Sequence, residues 1–125
     1  MAGGTQFEID HLGIAVRSIE AALRFYEGQL GMRVSLRETV TEEQVNVAML
    51  AAGGPRLELL EPTEPDSVIG RFLQQRGEGL HHVALRVPDL NATIERLRAA
   101  GHPYVFVHPA STGGVLLELI QNEER

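Results

Sequence analysis

A histidine on one predicted strand and a glutamate on a later strand occur twice in this chain of 125 residues. The first pair is His11, within Ile-Asp-His-Leu-Gly-Ile-Ala-Val, and Glu58, within Leu-Glu-Leu-Leu. The second pair is His82, within Leu-His-His-Val-Ala-Leu-Arg-Val, and Glu118, within Leu-Glu-Leu-Ile. Imidazoles and carboxylates together suit Zn, Co, Ni, Mn or Fe. The repetition therefore predicts one divalent metal site, with His11, Glu58, His82 and Glu118 as its ligands.

The two copies of the repeat differ in length. An offset of 71 residues relates the two histidines, and an offset of 60 relates the two glutamates. The second copy is therefore 11 residues shorter between its histidine and its glutamate. It has room for two strands after its helix, where the first copy has room for three. Either a hairpin has been deleted from the second copy, or a loop is missing from the sequence.

Hydrophobic periodicity predicts an α+β fold of two tandem modules joined by a short helix. In the first module, this periodicity predicts a helix over 19–30, and Ser18 is its predicted N-cap. The predicted strands of this module are 9–16, 32–39, 45–51 and 56–61. A connecting helix at about 66–76 is capped by Asp66 or Ser67. The second module predicts a helix over 90–100, capped by Asp89, and strands over 80–87, 104–108 and 114–120.

Alternation along the strands separates the polar candidates from their apolar neighbours. Leucine, isoleucine and valine side chains on one face are expected to pack under the helices. The repeated histidines and glutamates fall on the other face and are expected to line a cleft where the two half-sheets meet. His81 has the parity of the core face and is interpreted as a bystander. His102 and His108 have no partner in the repeat and are interpreted as structural.

Composition excludes several kinds of chemistry. The chain has no cysteine, and all eleven basic residues are arginine, so neither a thiolate nucleophile nor a Schiff-base lysine is available. A net charge of −6 argues against nucleic-acid binding. No apolar run approaches the roughly 20 residues of a membrane span, and the N-terminus has no signal-peptide pattern. We therefore expect a cytoplasmic protein that binds neither nucleic acid nor membrane.

These motifs resemble the vicinal oxygen chelate superfamily, which includes glyoxalases, bleomycin resistance proteins and dioxygenases. Within it, the string Gly-Glu-Gly-Leu-His-His at 77–82 and the string His-Pro-Ala-Ser-Thr-Gly-Gly-Val-Leu-Leu-Glu at 108–118 resemble the methylmalonyl-CoA epimerases. The resemblance implies a single domain over 1–125, with two βαβββ modules forming a cupped mixed sheet around a metal. The modules are placed at about 7–61 and 80–121, the second one shortened.

The resemblance also implies a reaction. The epimerases invert the α-carbon of methylmalonyl-CoA through an enolate that a divalent metal, with cobalt favoured, stabilises. By resemblance, His11, His82 and Glu118 bind the metal, and Glu58 stands where some epimerases have glutamine. Glu118 is also implied as the catalytic residue, one of two acid/base groups. An acyl-CoA substrate and a homodimer are implied as well.

The chain departs from the epimerase pattern at three places. Val47 stands where some family members carry a glutamate that serves as the second acid/base, and Glu42 or Glu43 on the nearby turn is a candidate to take its place. Ala110 stands where a basic residue is common. The shortened second module lacks a strand and a loop rich in glycine and proline that the family carries beside the cleft.

Two other functions remain open on the same scaffold. One is a glyoxalase-like lyase or isomerase that acts on another substrate and shares the metal. The other is a non-catalytic small-molecule binding protein. Binding proteins of the superfamily typically lack the metal ligands, whereas all four candidates are present here.

Overall fold

Strands and helices follow one another in the predicted order. The computed structural model describes residues 6–102, 106–107, 109, 112 and 114–121. Its helices are α1 (Ile19–Leu23), α2 (Val68–Arg76) and α3 (Leu90–Ala99). Its strands are β1 (Glu8–Ala15), β2 (Val34–Val40), β3 (Val45–Ala51), β4 (Arg56–Pro62), β5 (Gly79–Val87), β6 (Phe106–Val107) and β7 (Leu117–Gln121). The predicted α+β class is confirmed. Within the described ranges, no helix combines the length and apolarity needed to cross a membrane.

The helix predicted over 19–30 is α-helical only in its first part. Ser18 caps it as predicted, accepting a hydrogen bond from the backbone N–H of Ala21 at 3.0 Å. From Arg24 to Gln29 the helix widens into a π-helical turn. There the N–H of Leu30 donates to the carbonyl of Phe25, five residues back, at 2.8 Å. Gly31 ends the segment with φ of 82°, a left-handed conformation that favours glycine.

The chain divides into two compact units. One consists of residues 12–81, and the other of the described residues among 1–11 and 82–125. The division falls inside β1 and β5, between His11 and Leu12 and between His81 and His82. This division reflects which residues contact one another and does not test the sequence repeat. The predicted single domain of 1–125 and its module boundaries therefore stay predictions.

The unit of residues 12–81 has apolar packing on both faces of its sheet. Its strands are ordered β2-β3-β4-β1, with antiparallel pairing of β2 with β3 and of β3 with β4. One face packs against α1, as predicted: Ile19 and Leu23 contact a cluster that includes Ala48, Leu50 and Leu59. The other face forms a second core with α2, whose members are Ala15, Val45, Val47, Met49, Leu60, Ile69 and Leu73.

Helix α2 is thus more than a connector. Strand alternation predicts that the face opposite α1 lines a cleft, but in this unit α2 covers much of that face with Ile69 and Leu73. The reason is the hydrophobic effect, because three residues of β3 (Val45, Val47 and Met49) present apolar side chains there that need cover. Ser67 is the N-cap, accepting from the N–H of Gly70 at 3.0 Å.

The other unit contains the shortened second copy of the repeat. Its strands are ordered β1-β5-β7-β6, with β5 and β7 parallel and β6 and β7 antiparallel. Among the described residues two strands follow α3, as predicted. The first is short, and residues 104, 105 and 108 of the predicted strand lie outside the described residues. The second begins at Leu117, three residues later than predicted.

In both copies of the repeat, a side chain at the end of a strand accepts a hydrogen bond from the first backbone N–H of the helix. We call this side chain the helix anchor. In the first, the N–H of Ile19 at the start of α1 donates to Glu61 Oε1 at 2.7 Å. In the second, the N–H of Leu90 at the start of α3 donates to Gln121 Oε1 at 2.8 Å. Each anchor stands three residues after a candidate glutamate, Glu58 or Glu118. The anchor therefore ties the strand that carries the glutamate to the first turn of the helix.

We expect Gln121→Ala and Glu61→Ala each to lower the free energy of unfolding by about 1 kcal/mol, because each removes a hydrogen bond to a helix N-terminus. Glu61→Gln should lose less than half as much, since glutamine already serves as the anchor in the second copy. Urea unfolding measures these changes, with the exposed Gln75→Ala as the control. Alanine variants as stable as this control would show that the anchors contribute nothing.

Candidate metal centre

Three of the four predicted ligands come together in the structure. His11, His82 and Glu118 each offer a ligand atom, and these atoms all lie within 4.8 Å of one another. The two histidine Nε2 atoms are 3.1 Å apart. Glu118 Oε1 lies 3.6 Å from His82 Nε2 and 3.9 Å from His11 Nε2. All three residues belong to the same compact unit.

The strand pairing explains why these side chains meet. His82 and Ala84 are two residues apart on β5 and so share one face of the strand. Ala84 is the register partner of Glu118 in the parallel ladder with β7. Its small side chain is fully buried and leaves room beside the carboxylate. His11, on β1, places its ring edge-to-face against His82, with centroids 5.2 Å apart.

The three donors fit a divalent cation. With ligand bonds of about 2.1 Å and angles of 90° to 109°, two neighbouring donor atoms stand about 3.0 to 3.4 Å apart. The separation of 3.1 Å between the two imidazole nitrogens lies in this range. The carboxylate oxygen stands slightly farther out, at 3.6 Å from His82 Nε2 and 3.9 Å from His11 Nε2. Side-chain exposure is 11% for His11 and 10% for His82 but 27% for Glu118, so the carboxylate is the most accessible of the three groups.

A chain of charges lies behind His11. Its Nδ1 is 2.7 Å from Asp10 Oδ2. Asp10 Oδ1 in turn lies 3.3 Å from Nε of Arg86, and Arg86 Nη2 lies 3.4 Å from Glu8 Oε1. With neutral imidazoles, the carboxylates of Glu8, Asp10 and Glu118 outnumber the one guanidinium. The surplus of negative charge is the kind that a divalent cation neutralises.

Sequence reasoning missed Asp10 and Arg86. A signal was present for Arg86, because it is the one charged residue within the otherwise apolar stretch 83–87 of β5. It is also four residues after His82 and therefore on the same face of the strand. Asp10 directly precedes His11, and neighbouring residues on a strand point to opposite faces. Alternation alone therefore does not predict that their side chains touch.

Glu58, the fourth predicted ligand, lies in the compact unit of residues 12–81. It is half-buried on β4, where its register partner is Met49 of β3. It is not a member of the group formed by His11, His82 and Glu118. Its role as a ligand stays a prediction.

The remaining histidines are placed as follows. His81 packs edge-to-face against Phe72 of α2, with ring centroids 5.0 Å apart, and its interpretation as a core-face residue stays a prediction. His102 follows α3, and its backbone N–H donates to the carbonyl of Leu97 at 2.8 Å. His108 and Ala110 lie outside the described residues.

Val47 is 3% exposed within the core under α2, and its apolar side chain can neither give nor accept a proton. Glu42 and Glu43 are exposed on a 3₁₀ turn between β2 and β3.

Comparison with known proteins decides the family. The sequence matches the glyoxalase/bleomycin resistance protein/dioxygenase superfamily over residues 10–122. The chain belongs to this superfamily. Among its relatives, the uncharacterised protein YqjC of Bacillus subtilis is 40% identical, over 90% of this chain and 91% of that protein. The human mitochondrial methylmalonyl-CoA epimerase is 36% identical, over 90% of this chain and 73% of that enzyme.

Solved structures of epimerases confirm the predicted fold. The methylmalonyl-CoA epimerase of Mycobacterium tuberculosis superposes with a TM-score of 0.81 at 33% identity, covering 93% of this chain and 88% of that one. A methylmalonyl-CoA epimerase in complex with methylmalonyl-CoA and ammonium gives a TM-score of 0.81 at 34% identity, covering 90% of this chain and 92% of that one. The resemblance drawn from the sequence motifs is therefore confirmed.

We expect His11→Ala and His82→Ala each to weaken Co²⁺ binding by about 100-fold or more, because each removes a preformed donor. Isothermal titration calorimetry on metal-free protein measures the affinity. His102→Ala is the control, since it removes an imidazole of the same unit that has no place in the cluster. Wild-type affinity in either cluster variant would contradict the site.

Proposed function

We propose that the chain is a metal-dependent methylmalonyl-CoA epimerase. The observation that carries the proposal is the convergence of His11, His82 and Glu118 within 4.8 Å. It occurs in a chain whose relatives include methylmalonyl-CoA epimerases at 31% to 36% identity over 90% of the chain. A structural neighbour also holds methylmalonyl-CoA.

In this proposal His11, His82 and Glu118 hold one divalent ion, with Glu58 as the predicted fourth ligand. The ion supplies Lewis-acid polarisation of the substrate oxygens when it is bound. The buried histidines contribute neutral nitrogen donors, and Glu118 contributes negative charge. Co, Ni, Mn, Zn and Fe all suit this donor set, and the resemblance favours cobalt.

Glu118 is proposed to move the substrate proton. The α-carbon of methylmalonyl-CoA lies between a thioester and a carboxylate, so loss of its proton leaves an enolate. Inversion then requires that a proton returns to the opposite face of the same carbon. Glu118 is the most exposed member of the cluster, so its carboxylate is the one best placed to meet a substrate. Glu118 then transfers the proton on one face of the α-carbon, and a second acid/base must transfer it on the opposite face.

The second acid/base cannot be Val47, because its side chain is apolar and buried in the core. Glu42 and Glu43 carry exposed carboxylates on the turn that follows β2. We propose that one of them is the second group.

An acyl-CoA substrate follows from the proposed reaction. The homodimer and the cytoplasmic location stay predictions that belong to the same proposal.

Exchange of the α-proton tests the proposal. In deuterated water with added Co²⁺, the wild-type chain should exchange the α-proton of methylmalonyl-CoA for deuterium, as measured by NMR, and a chelator should stop the exchange. Glu118→Gln should lower the rate by about 10² to 10⁴-fold, because an amide cannot accept the proton. The control is Glu95→Gln, an exposed glutamate of α3 that pairs with Arg98.

One outcome would remove the proposed role of Glu118, and two others would overturn the function. Exchange that survives in Glu118→Gln at the wild-type rate would remove the proposed role of that residue. Metal-dependent binding of methylmalonyl-CoA without exchange would favour the non-catalytic binding protein. Metal binding without affinity for methylmalonyl-CoA would favour a glyoxalase-like enzyme that acts on another substrate.

Glu42→Gln and Glu43→Gln locate the second acid/base. A variant that loses this group should still exchange the proton of the one enantiomer that Glu118 serves, but it should fail to form the other enantiomer. Chiral analysis of the products separates exchange from inversion. Normal inversion in both single variants and in the double variant would exclude the turn.

A further inference from the structure

Arg86 and Asp10 form a partly buried charged pair that the proposed reaction does not use. Side-chain exposure is 12% for Asp10 and 24% for Arg86. Arg86 Nε is buried and lies 3.3 Å from Asp10 Oδ1, yet the two atoms are not aligned as a hydrogen bond. The contact is therefore an attraction of opposite charges. Burying such a pair is costly unless its geometry brings a benefit elsewhere.

The other oxygen of Asp10 faces a histidine of the cluster. Asp10 Oδ2 lies 2.7 Å from Nδ1 of His11. A carboxylate can only accept a hydrogen bond, so His11 must donate from Nδ1–H. A neutral imidazole carries one N–H, which leaves Nε2 with its lone pair. This is the nitrogen that lies 3.1 Å from His82 Nε2, within the candidate metal centre.

The pairing with Arg86 also orients Asp10. The guanidinium is on β5, whereas Asp10 and His11 are on β1, the neighbouring strand. Arg86 engages Oδ1 and leaves Oδ2 for the histidine. Glu8, at 3.4 Å from Arg86 Nη2, approaches the guanidinium by another nitrogen. The order of contacts is thus Glu8 to Arg86 to Asp10 to His11.

We propose that Asp10, held by Arg86, is a positioning residue that fixes His11 in the Nδ1–H tautomer and presents its Nε2 to a divalent metal ion. The inference rests on the metal site of the proposed function. Partners of this kind behind metal-ligating histidines set the ring orientation and strengthen the ligand, and their loss typically weakens metal binding by about 10 to 100-fold.

The test reads the tautomer directly in the metal-free protein. Long-range proton–nitrogen NMR of protein labelled with ¹⁵N-histidine distinguishes Nδ1–H from Nε2–H on His11, at one fixed pH above the range in which histidine protonates. Co²⁺ affinity is measured separately by calorimetry. The variant is Asp10→Ala, and the matched control is Asp89→Ala. This control also removes a carboxylate of the same unit, but one that caps α3 by accepting from the N–H of Ala92.

We expect Asp10→Ala to shift His11 away from the Nδ1–H tautomer and to weaken Co²⁺ binding by about 10 to 100-fold. Asp89→Ala should do neither, although it removes a helix cap. Arg86→Met should change both readouts in the same direction by a smaller factor, and Arg86→Lys, which retains the charge, should stay closer to wild type. If Asp10→Ala does not fold, the comparison of Arg86→Met with Arg86→Lys tests the inference in its place.

An unchanged tautomer in Asp10→Ala, or Co²⁺ affinity within about twofold of wild type, would overturn the inference. The failure of the proposed function would look different, because the wild-type chain would then fail to exchange the α-proton of methylmalonyl-CoA. The tautomer in metal-free protein and the Co²⁺ affinity do not depend on that reaction, so they decide the role of Asp10 in either case.

Discussion

The approach of two buried imidazole nitrogens is the constraint on which the rest of the site depends. Nε2 of His11 and Nε2 of His82 lie 3.1 Å apart, so either one nitrogen donates a hydrogen bond to the other or both direct lone pairs at a shared cation. The hydrogen bond from His11 Nδ1–H to Asp10 gives the Nε2 atom of His11 such a lone pair. Glu118 adds a carboxylate beside both nitrogens. A proton on His82 Nε2 satisfies the two nitrogens alone, whereas a divalent cation satisfies both nitrogens and the carboxylate together, which is the physical argument for a metal.

The fold maintains this arrangement through devices that recur in the repeat. Ser18 and Asp89 cap the first turns of α1 and α3, and Glu61 and Gln121 hold the same helix starts from the ends of β4 and β7. Because Gln121 is three residues after Glu118, the anchor of α3 also limits how far β7 can slide. A shift of one residue would turn Glu118 to the other face of the sheet. The register pairing of Glu118 with Ala84 then keeps the carboxylate beside a small side chain.

Much of this was predictable from the sequence, because the signals are local or repeated. Ser18, Asp89 and Gly31 act at helix ends in the ways that their residue types favour, and the duplicated His and Glu included the three residues that meet, His11, His82 and Glu118. The cover that α2 provides was not predictable from strand alternation, which describes one strand at a time and not what packs on it. The contact between Asp10 and Arg86 was not predictable for a similar reason, since it joins two strands that are far apart in sequence. Glu58 shares its residue type and its position in the repeat with Glu118, but these do not establish a metal contact.

The central claim is that His11, His82 and Glu118 bind one divalent ion. Anomalous diffraction at the cobalt edge, from crystals of the full chain grown with Co²⁺, tests it most directly. We predict one strong anomalous peak at about 2.0 to 2.2 Å from Nε2 of His11, Nε2 of His82 and a carboxylate oxygen of Glu118. If no cobalt peak lies near these three side chains at saturating Co²⁺, or if the ion binds only elsewhere, the result would contradict the account.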